Sequence, residues 1–356
     1  MVVRVSGSRA HNEGVNPPRR SGHIGSPSQS RGIRSGIRRV QQNMDFDGLF
    51  TRTDALASGI TDGQLRRARM RGELIAIRPG AYVSSKYFCT LDSEQQHLLF
   101  ARSAPDRPVL SHVTAAIAWG MDVWGLPLAR MHVTTGISIQ AKTTRRRIVH
   151  GTSLKPSEYT AHEGMSLTTP ARTVVDIART TDFEHAVCVG DSALRRGLVT
   201  VSELNEALES ARFRAGVPGA VLAVAAMTDR SDSVGESRSR LILNNAGLFP
   251  LLNQSVFAEN EIFLARTDFL HDGGVGVVDE FDGEGKYGED AIKARQTVLE
   301  EKHREDRVRE CGWIFARWGW RDLSTPDVVI ARVRRALTLG AKTPPPTGFF
   351  REDLLP

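Results

Sequence analysis

Four acids in the last third of the chain have side-chain types and spacing suited to metal-assisted chemistry: Glu236, Asp268, Glu280 and Asp282. Glu280 and Asp282 are two residues apart on a strand predicted over 275–282, so their side chains share one face. Asp268 lies on the preceding strand, predicted over 262–270, and a glycine-containing turn would fold the two strands into a hairpin. We expect this hairpin to bring the three carboxylates together.

Converging carboxylates repel one another unless a cation lies among them. Oxygen-rich sites suit Mg²⁺ or Mn²⁺, and such a metal activates water for attack on a phosphoryl group. Asp268, Glu280 and Asp282 are therefore predicted metal ligands. Glu236 is expected to reach in from the preceding helix, and Lys286 could place a cation near the transition state. The five residues form a candidate catalytic set for phosphodiester hydrolysis.

The elements that would position these acids follow in a definite order. A helix is predicted over 233–247, then an extended segment over 250–256, then the hairpin. A helix over 289–311 and a strand over 313–318 complete the segment. The alternative is a solvent-exposed hairpin whose acids bind no metal. Exposed Asp and Glu are common on such strands.

The order Glu, Gln, Asp, Glu-x-Asp-Gly, Lys-Tyr resembles the Vsr-like (very-short-patch-repair-like) branch of the PD-(D/E)xK restriction-endonuclease-like superfamily. The resemblance covers about 100 residues and implies an αβ domain with a central mixed sheet and Mg²⁺-dependent DNA cleavage. It places Glu236, Asp268, Glu280 and Asp282 on the acidic positions of the family, and Gln254 before its first strand. Asp282 stands where the wider superfamily has Lys, so a nuclease fold that no longer cuts is an open alternative.

A second chemically distinctive stretch lies near the N-terminus, over residues 47–83. Thr53 or Asp54 can cap a short helix that ends at Gly59. Thr61 or Asp62 can cap a second helix that ends at Gly72. Two short helices joined at a glycine are typical of a helix-turn-helix, and the following hairpin with its Arg-Pro-Gly turn would form a wing.

The second helix and the wing are rich in side chains that bind DNA. In a helix-turn-helix this helix enters the major groove, where Arg pairs with guanine or holds phosphate. The predicted DNA-binding residues are Gln64, Arg66, Arg67, Arg69, Arg71 and Arg78. The alternative is a solvated basic face on a helix that docks onto the rest of the protein.

The stretch TRTDALASGITDGQLRRARMRGELIAIRPGAYV resembles the N-terminal winged helix of AbiEi-type antitoxins of type IV toxin–antitoxin systems. The resemblance implies a domain that binds double-stranded operator DNA, represses its own operon and has a cognate toxin. An antitoxin of this type would not ordinarily need a nuclease fold at its C-terminus. Two further functions therefore stay open, a nuclease directed to DNA by its winged helix and a non-enzymatic protein-interaction adaptor.

The whole chain is expected to be an α/β (α+β) protein with five parts. These are a basic tail over 1–43, a winged helix over 44–88, a mixed α/β middle domain over 91–225, a nuclease-fold domain over 231–340 and a flexible tail over 341–356. In the middle domain His112 could do chemistry, but a lone His at a helix start is far more often a core residue. Arg145, Arg146 and Arg147 offer a second phosphate contact or a solvated strand edge.

Composition limits these expectations. The net charge of +6 comes from the tail, where eight Arg and one Glu give +7, so the remainder is near −1. DNA binding must therefore rest on local patches. Met44 is an alternative start to Met1. The three cysteines lack metal-ligand spacing, and no apolar run is long enough for a membrane span. Both features favour a cytoplasmic protein. The oligomeric state stays open.

Overall fold

The computed structural model describes residues 48–137, 140–283 and 302–352. Within these residues the fold is mixed α/β, as expected, and three sheets are present. The chain divides into two compact units between Tyr87 and Phe88. The predicted basic tail over 1–43, together with Lys286, lies outside the described residues. None of the described helices combines the length and apolarity that crossing a bilayer requires.

The described part of the first unit has short helices and a three-stranded sheet of order β1-β3-β2. Its elements are β1 (Phe50–Thr51), α1 (Arg52–Ala57), α2 (Asp62–Met70), β2 (Leu74–Arg78) and β3 (Ala81–Ser84), with α3 (Ser85–Phe88) at its end. A small core of Phe50, Leu65 and Tyr82 holds the helices to the sheet. The helix-turn-helix and hairpin are as predicted, whereas β1 adds a third strand.

Local side-chain caps explain why the two helices start where they do. Thr61 caps α2, and its hydroxyl and the side chain of Gln64 form a capping box. The first helix begins earlier than predicted: Thr51, rather than Thr53 or Asp54, is its N-cap, because Asp54 is the partner at the third helical position. Gly72 adopts a positive φ of 70° just after α2, which ends the helix.

The second unit runs from residue 88 to 352. Its first half surrounds a six-stranded sheet of order β6-β7-β5-β4-β9-β8, where β5 pairs in parallel with β7. The elements are α4 (Ser93–Arg102), β4 (Val109–Leu110), α5 (His112–Ala118), β5 (Met131–Gly136), β6 (Lys142–Thr143), β7 (Arg147–Ser153), β8 (Tyr159–His162), β9 (Met165–Thr168), α6 (Pro170–Ala178), α7 (Phe183–Arg195), α8 (Val201–Ser210) and α9 (Val217–Ala225). Helix α6 begins at Pro170 and is capped by the Thr169 side chain.

The second half contains a five-stranded mixed sheet of order β13-β12-β11-β10-β14. Its elements are α10 (Val234–Asn245), β10 (Leu251–Phe257), β11 (Phe263–His271), β12 (Val277–Asp282), a helix over 302–310 (α11), β13 (Ile314–Gly319), α12 (Trp320–Leu323), α13 (Pro326–Gly340) and β14 (Phe349–Glu352). The helix, the hairpin and the strand after residue 313 agree with the sequence-based expectation.

The end of the chain differs from the expected flexible tail. Residues Phe349–Glu352 form β14, which pairs antiparallel with β10 at the edge of the sheet. The Phe349 ring stacks on Phe257 with centroids 5.2 Å apart, and Phe350 meets the edge of Trp313. Burial of aromatic surface against the sheet accounts for this order.

The two halves of the second unit share a core. Leu241 of α10 packs into the cluster built from α5, α6 and α7. The Arg238 guanidinium lies 4.1 Å from the centre of the Trp124 ring, and Trp320 packs beside Trp124. Contacts from both halves therefore meet at α10, the helix that introduces the five-stranded sheet.

Candidate functional site

Helix α2 presents one apolar and one cationic face. Leu65 and Ala68, three residues apart, are buried against the sheet of the first unit. Met70 is 82% exposed on the opposite side. The arginines of this segment are all exposed: Arg66, Arg67, Arg69 and Arg71. The helix therefore directs positive charge toward solvent while its small apolar face holds it in place.

The partners of these arginines divide them into two groups. Arg69 lies 6.0 Å from the centre of the Tyr82 ring, and Arg71 is 3.2 Å from the Glu73 carboxylate. Within the described part of the chain, Arg66 and Arg67 form no ion pair. Because neither is held in an ion pair there, these two side chains are the most available for phosphate or guanine.

Gln64 has a structural role that its sequence position did not reveal. Its Oε1 accepts a hydrogen bond of 2.8 Å from the Thr61 backbone N–H. The side-chain carbonyl is thereby committed to the helix cap, which leaves the amide NH₂ as the group that could donate to a base. At the turn of the β2–β3 hairpin, Arg78 donates a 3.1 Å hydrogen bond to the Pro79 carbonyl.

An acid at the start of α2 is neutralised by the preceding helix. Arg52 Nη2 lies 2.6 Å from Asp62 Oδ2, and its Nε donates to the other oxygen at 2.7 Å. These hydrogen bonds hold the pKa of Asp62 below its ordinary value. The pairing reduces the negative charge that Asp62 would otherwise present beside the arginines.

This arrangement of capped helices, three-stranded sheet and cationic second helix agrees with the comparison with known families. Residues 45–85 match the AbiEi antitoxin family. The matching family model is described as "Transcriptional regulator, AbiEi antitoxin". The match covers 41 of the 356 residues, and we call residues 48–87 the AbiEi-like unit.

Beyond the AbiEi-like unit the comparisons are sparse. No curated protein matches the chain. Among solved structures, the RV2827C protein from Mycobacterium tuberculosis is 14% identical, with a TM-score of 0.34. That alignment covers 60% of this chain and 80% of the other.

Outside the AbiEi-like unit, two of the predicted acids lie near one another on the five-stranded sheet. The antiparallel register pairs Phe269 with Asp279, so the next residues outward are Asp268 on β11 and Glu280 on β12. Asp268 Oδ2 accepts a 2.7 Å hydrogen bond from the Phe281 backbone N–H. The hairpin thus forms as expected, and a backbone donor already occupies one Asp268 oxygen.

Glu280 lies beside two arginines of neighbouring elements. It forms an ion pair with Arg317 of β13, and Arg304 of α11 lies 3.9 Å from its other oxygen. Burial raises the pKa of Glu280, and the arginines act against that rise. Asp282 is exposed at the end of β12. The arginines thus supply the positive charge that we had expected a metal to bring.

Glu236 is bound at the start of its own helix. One oxygen accepts from the Asp232 backbone N–H at 2.7 Å, and the other accepts from the Ser233 hydroxyl at 2.9 Å. Burial raises the pKa of this carboxyl. Gln254, which the Vsr-like resemblance places before the first strand, lies instead within β10, where it is buried and donates to the Leu252 carbonyl at 2.8 Å.

The fit of these residues to Mg²⁺ or Mn²⁺ is poor. Among the described residues, three metal-ligating side chains come within 4.8 Å of one another at a group of histidines and not at the acids. Internal donors engage both oxygens of Glu236, and arginines engage those of Glu280. This arrangement offers no support for the predicted metal site, which stays a prediction, and Lys286 lies outside the described residues.

The histidine group is the feature that sequence reasoning missed. His112 was treated as a lone residue, yet the fold places His132 of β5 and His150 of β7 beside it. Burial lowers the pKa of all three imidazoles, that of His132 to about 4. Two histidines on adjacent strands were the available signal, but recognising it required knowing that β5 and β7 are neighbours.

The predicted second phosphate contact in the middle region has internal partners. Arg147 lies 2.6 Å from the Asp106 carboxylate. Arg146 lies 5.4 Å from the centre of the Phe100 ring. These contacts favour the alternative in which this arginine run belongs to a strand edge.

Proposed function

We propose that this protein is a DNA-binding transcriptional regulator of the antitoxin type. In this proposal α2 enters the major groove of double-stranded DNA and the β2–β3 hairpin acts as the wing. The observation that carries it is the exposed pair Arg66 and Arg67, which have no ion-pair partner among the described residues, on a capped helix inside the segment that matches the AbiEi family.

The surface of α2 around Arg67 supports the placement of this helix in the major groove. Arg67 lies along the outward side of α2, with a guanidinium nitrogen 3.6 Å from the position of a Cβ on Gly63. Because glycine has no side chain, the α2 backbone at this point is accessible to close approach of a DNA backbone. Arginine forks bind either phosphate or the O6 and N7 atoms of guanine, so the same face supplies affinity and sequence preference.

A cognate toxin is part of the proposal, because the matching family is described as an antitoxin family. Co-expression with the product of an adjacent gene tests this part. Growth arrest by that product, relieved by this protein, would support a toxin–antitoxin pair. If this protein does not relieve the growth arrest, the antitoxin role is contradicted, but the proposed DNA binding is not.

The direct test of DNA binding is fluorescence anisotropy with double-stranded DNA from upstream of the gene. Arg66→Ala and Arg67→Ala should each weaken binding by about 10-fold or more, which corresponds to about 1.4 kcal/mol. Arg212→Ala is the matched control, because it removes the same charge from an exposed arginine of the second unit whose contacts are with nearby residues of the chain, Glu209 and Phe213. Equal affinities for the wild type and both α2 variants would contradict the proposed interface.

Metal-dependent DNA cleavage is the second candidate function. One observation favours it: Asp268 and Glu280 follow directly on the Phe269–Asp279 pair of the β11–β12 ladder, as the Vsr-like resemblance expects. The internal pairing of Glu280 and Glu236 with other residues of the chain counts against it. DNA recognition without cleavage is therefore the function that the geometry supports best.

A further inference from the structure

Three histidines from separate elements converge in the first half of the second unit. His112 begins α5, His132 lies on β5 and His150 lies on β7. One ligating nitrogen of each can be chosen so that all three lie within 4.8 Å of one another. His150 Nε2 is 3.2 Å from His132 Nδ1, and the rings of His112 and His150 stack with centroids 3.6 Å apart.

The sheet register explains the convergence. β5 and β7 are parallel, with Thr134 opposite His150. Because side chains alternate along a strand, His132 and Thr134 share the face that also carries His150. The α5 helix supplies His112 over this face from a residue with a positive φ of 50°. That conformation is costly for a non-glycine residue, so the packing around His112 holds it there.

His112 has a nitrogen suited to a metal. The His112 Nδ1 lies 3.0 Å from the Ser111 hydroxyl, which leaves Nε2 for coordination. A hydrogen bond to the other ring nitrogen is the usual way in which a ligating histidine is oriented. For zinc at about 2.0–2.1 Å from each nitrogen, tetrahedral geometry places two ligand nitrogens about 3.3–3.4 Å apart. His150 Nε2 and His132 Nδ1, which are hydrogen-bonded in this structure, lie 3.2 Å apart, close to that spacing, so zinc would take the place of the proton between them. The His112 ring would turn out of its stack on His150 to present Nε2 to the same ion.

An independent observation points into the same place. The Thr134 hydroxyl is buried and has no hydrogen-bond partner among the described residues. A buried hydroxyl without a hydrogen-bond partner is destabilising. Thr134 is the cross-strand neighbour of His150, so a water in the fourth position of a three-histidine metal could supply the missing hydrogen bond.

We propose that His112, His132 and His150 bind one zinc ion, with a water as the fourth ligand. Neutral imidazoles suit zinc and other borderline transition metals, whereas Mg²⁺ prefers oxygen. This metal site is separate from the acidic face of the five-stranded sheet and does not depend on the proposed DNA binding.

The charged residues near the three histidines determine how tightly we expect zinc to bind. The adjacent ion-pair network joins Arg172, Arg179 and Arg214 to Asp176 and Glu158. Three cations against two anions leave one excess positive charge, which opposes a divalent ion. We therefore expect affinity weaker than that of a four-ligand structural zinc site.

The test uses the full chain without a histidine tag, stripped with chelator and titrated with ZnCl₂ in a calorimeter. One zinc should bind to the wild type and raise its melting temperature. His150→Ala and His132→Ala should each weaken binding at least 10-fold. His303→Ala is the matched control, because His303 is exposed on α11 and lies outside the group. Absence of zinc binding to the wild type would overturn the proposal.

A measurement on the wild type covers the case in which a histidine variant fails to fold. X-ray absorption at the zinc edge should show three nitrogen ligands and one oxygen ligand near 2.0 Å. Sulfur ligation, or a purely aqueous coordination shell, would also overturn the proposal and leave the three histidines as a packed imidazole cluster.

Discussion

The Asp191 carboxylate lies 2.7 Å from the Arg240 guanidinium, and this ion pair joins α7 to α10 in a buried setting. Asp191 is wholly buried and also accepts a 2.7 Å hydrogen bond from the Thr228 backbone N–H. The pair links the half of the second unit that contains the six-stranded sheet to the helix that begins the other half. A buried charge that loses its partner is strongly destabilising.

The first prediction concerns this pair. Arg240→Met should lower the free energy of unfolding by about 3–5 kcal/mol, because Asp191 is left charged and unpaired. Asp191→Asn combined with Arg240→Met should be more stable than Arg240→Met alone. Arg212→Met, which breaks an exposed pair with Glu209, should cost no more than about 1 kcal/mol. Urea denaturation measures all three, and equal losses for Arg240→Met and Arg212→Met would contradict the argument.

The second prediction concerns a glycine in α10. A Cβ on Gly235 would lie 2.0 Å from an atom of the buried Phe281 ring. Gly235→Ala should therefore destabilise the protein by about 1–3 kcal/mol through overpacking. Gly219→Ala in α9 is the control, since nothing lies within 4 Å of the added carbon. That variant should be neutral or gain about 0.5–1 kcal/mol from helix propensity. The expectation fails if thermal melts show the two variants unfolding at the same temperature.

The third prediction concerns the salt dependence of DNA binding by the AbiEi-like unit. If Arg66 holds a phosphate, Arg66→Ala should reduce the slope of log affinity against log salt by about 0.9. If Arg67 reads a guanine, its replacement should reduce the preference for the upstream site over random DNA. Titrations of both DNAs at several salt concentrations separate these contributions. Slopes and preferences that match those of Arg212→Ala would exclude the α2 face.

The fourth prediction addresses cleavage. Because arginines already neutralise Glu280, we expect no nicking of supercoiled plasmid with Mg²⁺ or Mn²⁺. If nicking is observed, Asp268→Asn and Glu280→Gln should abolish it. Asp272→Asn, an exposed acid in the turn of the same hairpin, should retain it. Metal-dependent nicking with that variant pattern would establish the nuclease function in place of our preferred one.

The fifth prediction uses the cysteines. Cys89 is exposed, whereas Cys188 is buried in α7, where burial raises the pKa of its thiol well above the ordinary value. Because the thiolate is the reactive form, iodoacetamide should modify Cys89 and spare Cys188 in the native protein at pH 8. Mass spectrometry locates the adducts. Rapid labelling of Cys188 without denaturant would show that α7 opens readily.

Sequence reasoning succeeded where the signals are local. Thr61, Gly59 and Gly72 mark the helix-turn-helix within a few residues, since caps and left-handed glycines act on their own backbone neighbourhood. The β11–β12 hairpin was predictable for the same reason, because its strands are joined by a short glycine-rich turn.

Contacts between distant segments required the tertiary structure. Glu280 pairs with Arg317 because β12 and β13 are parallel neighbours, 37 residues apart in the chain. Phe349 and Phe350 order the end of the chain only because β10 offers an open edge. Neither contact can be recognised from residues that are close in sequence. The sequence therefore predicted that the acids bind a metal and that the end of the chain is flexible.

The amino-acid sequence by itself determined the main features of the AbiEi-like unit: the cap of its second helix, its turn glycines and its arginine-rich second helix. Only the tertiary structure decided what surrounds the acids and which histidines meet. The physical reason is that capping and turn energies depend on residues three or four positions apart, whereas charge neutralisation and ligand convergence depend on strand order. His132 and His150 become neighbours only when β5 and β7 pair, and His112 joins them only when the start of α5 lies beside these strands.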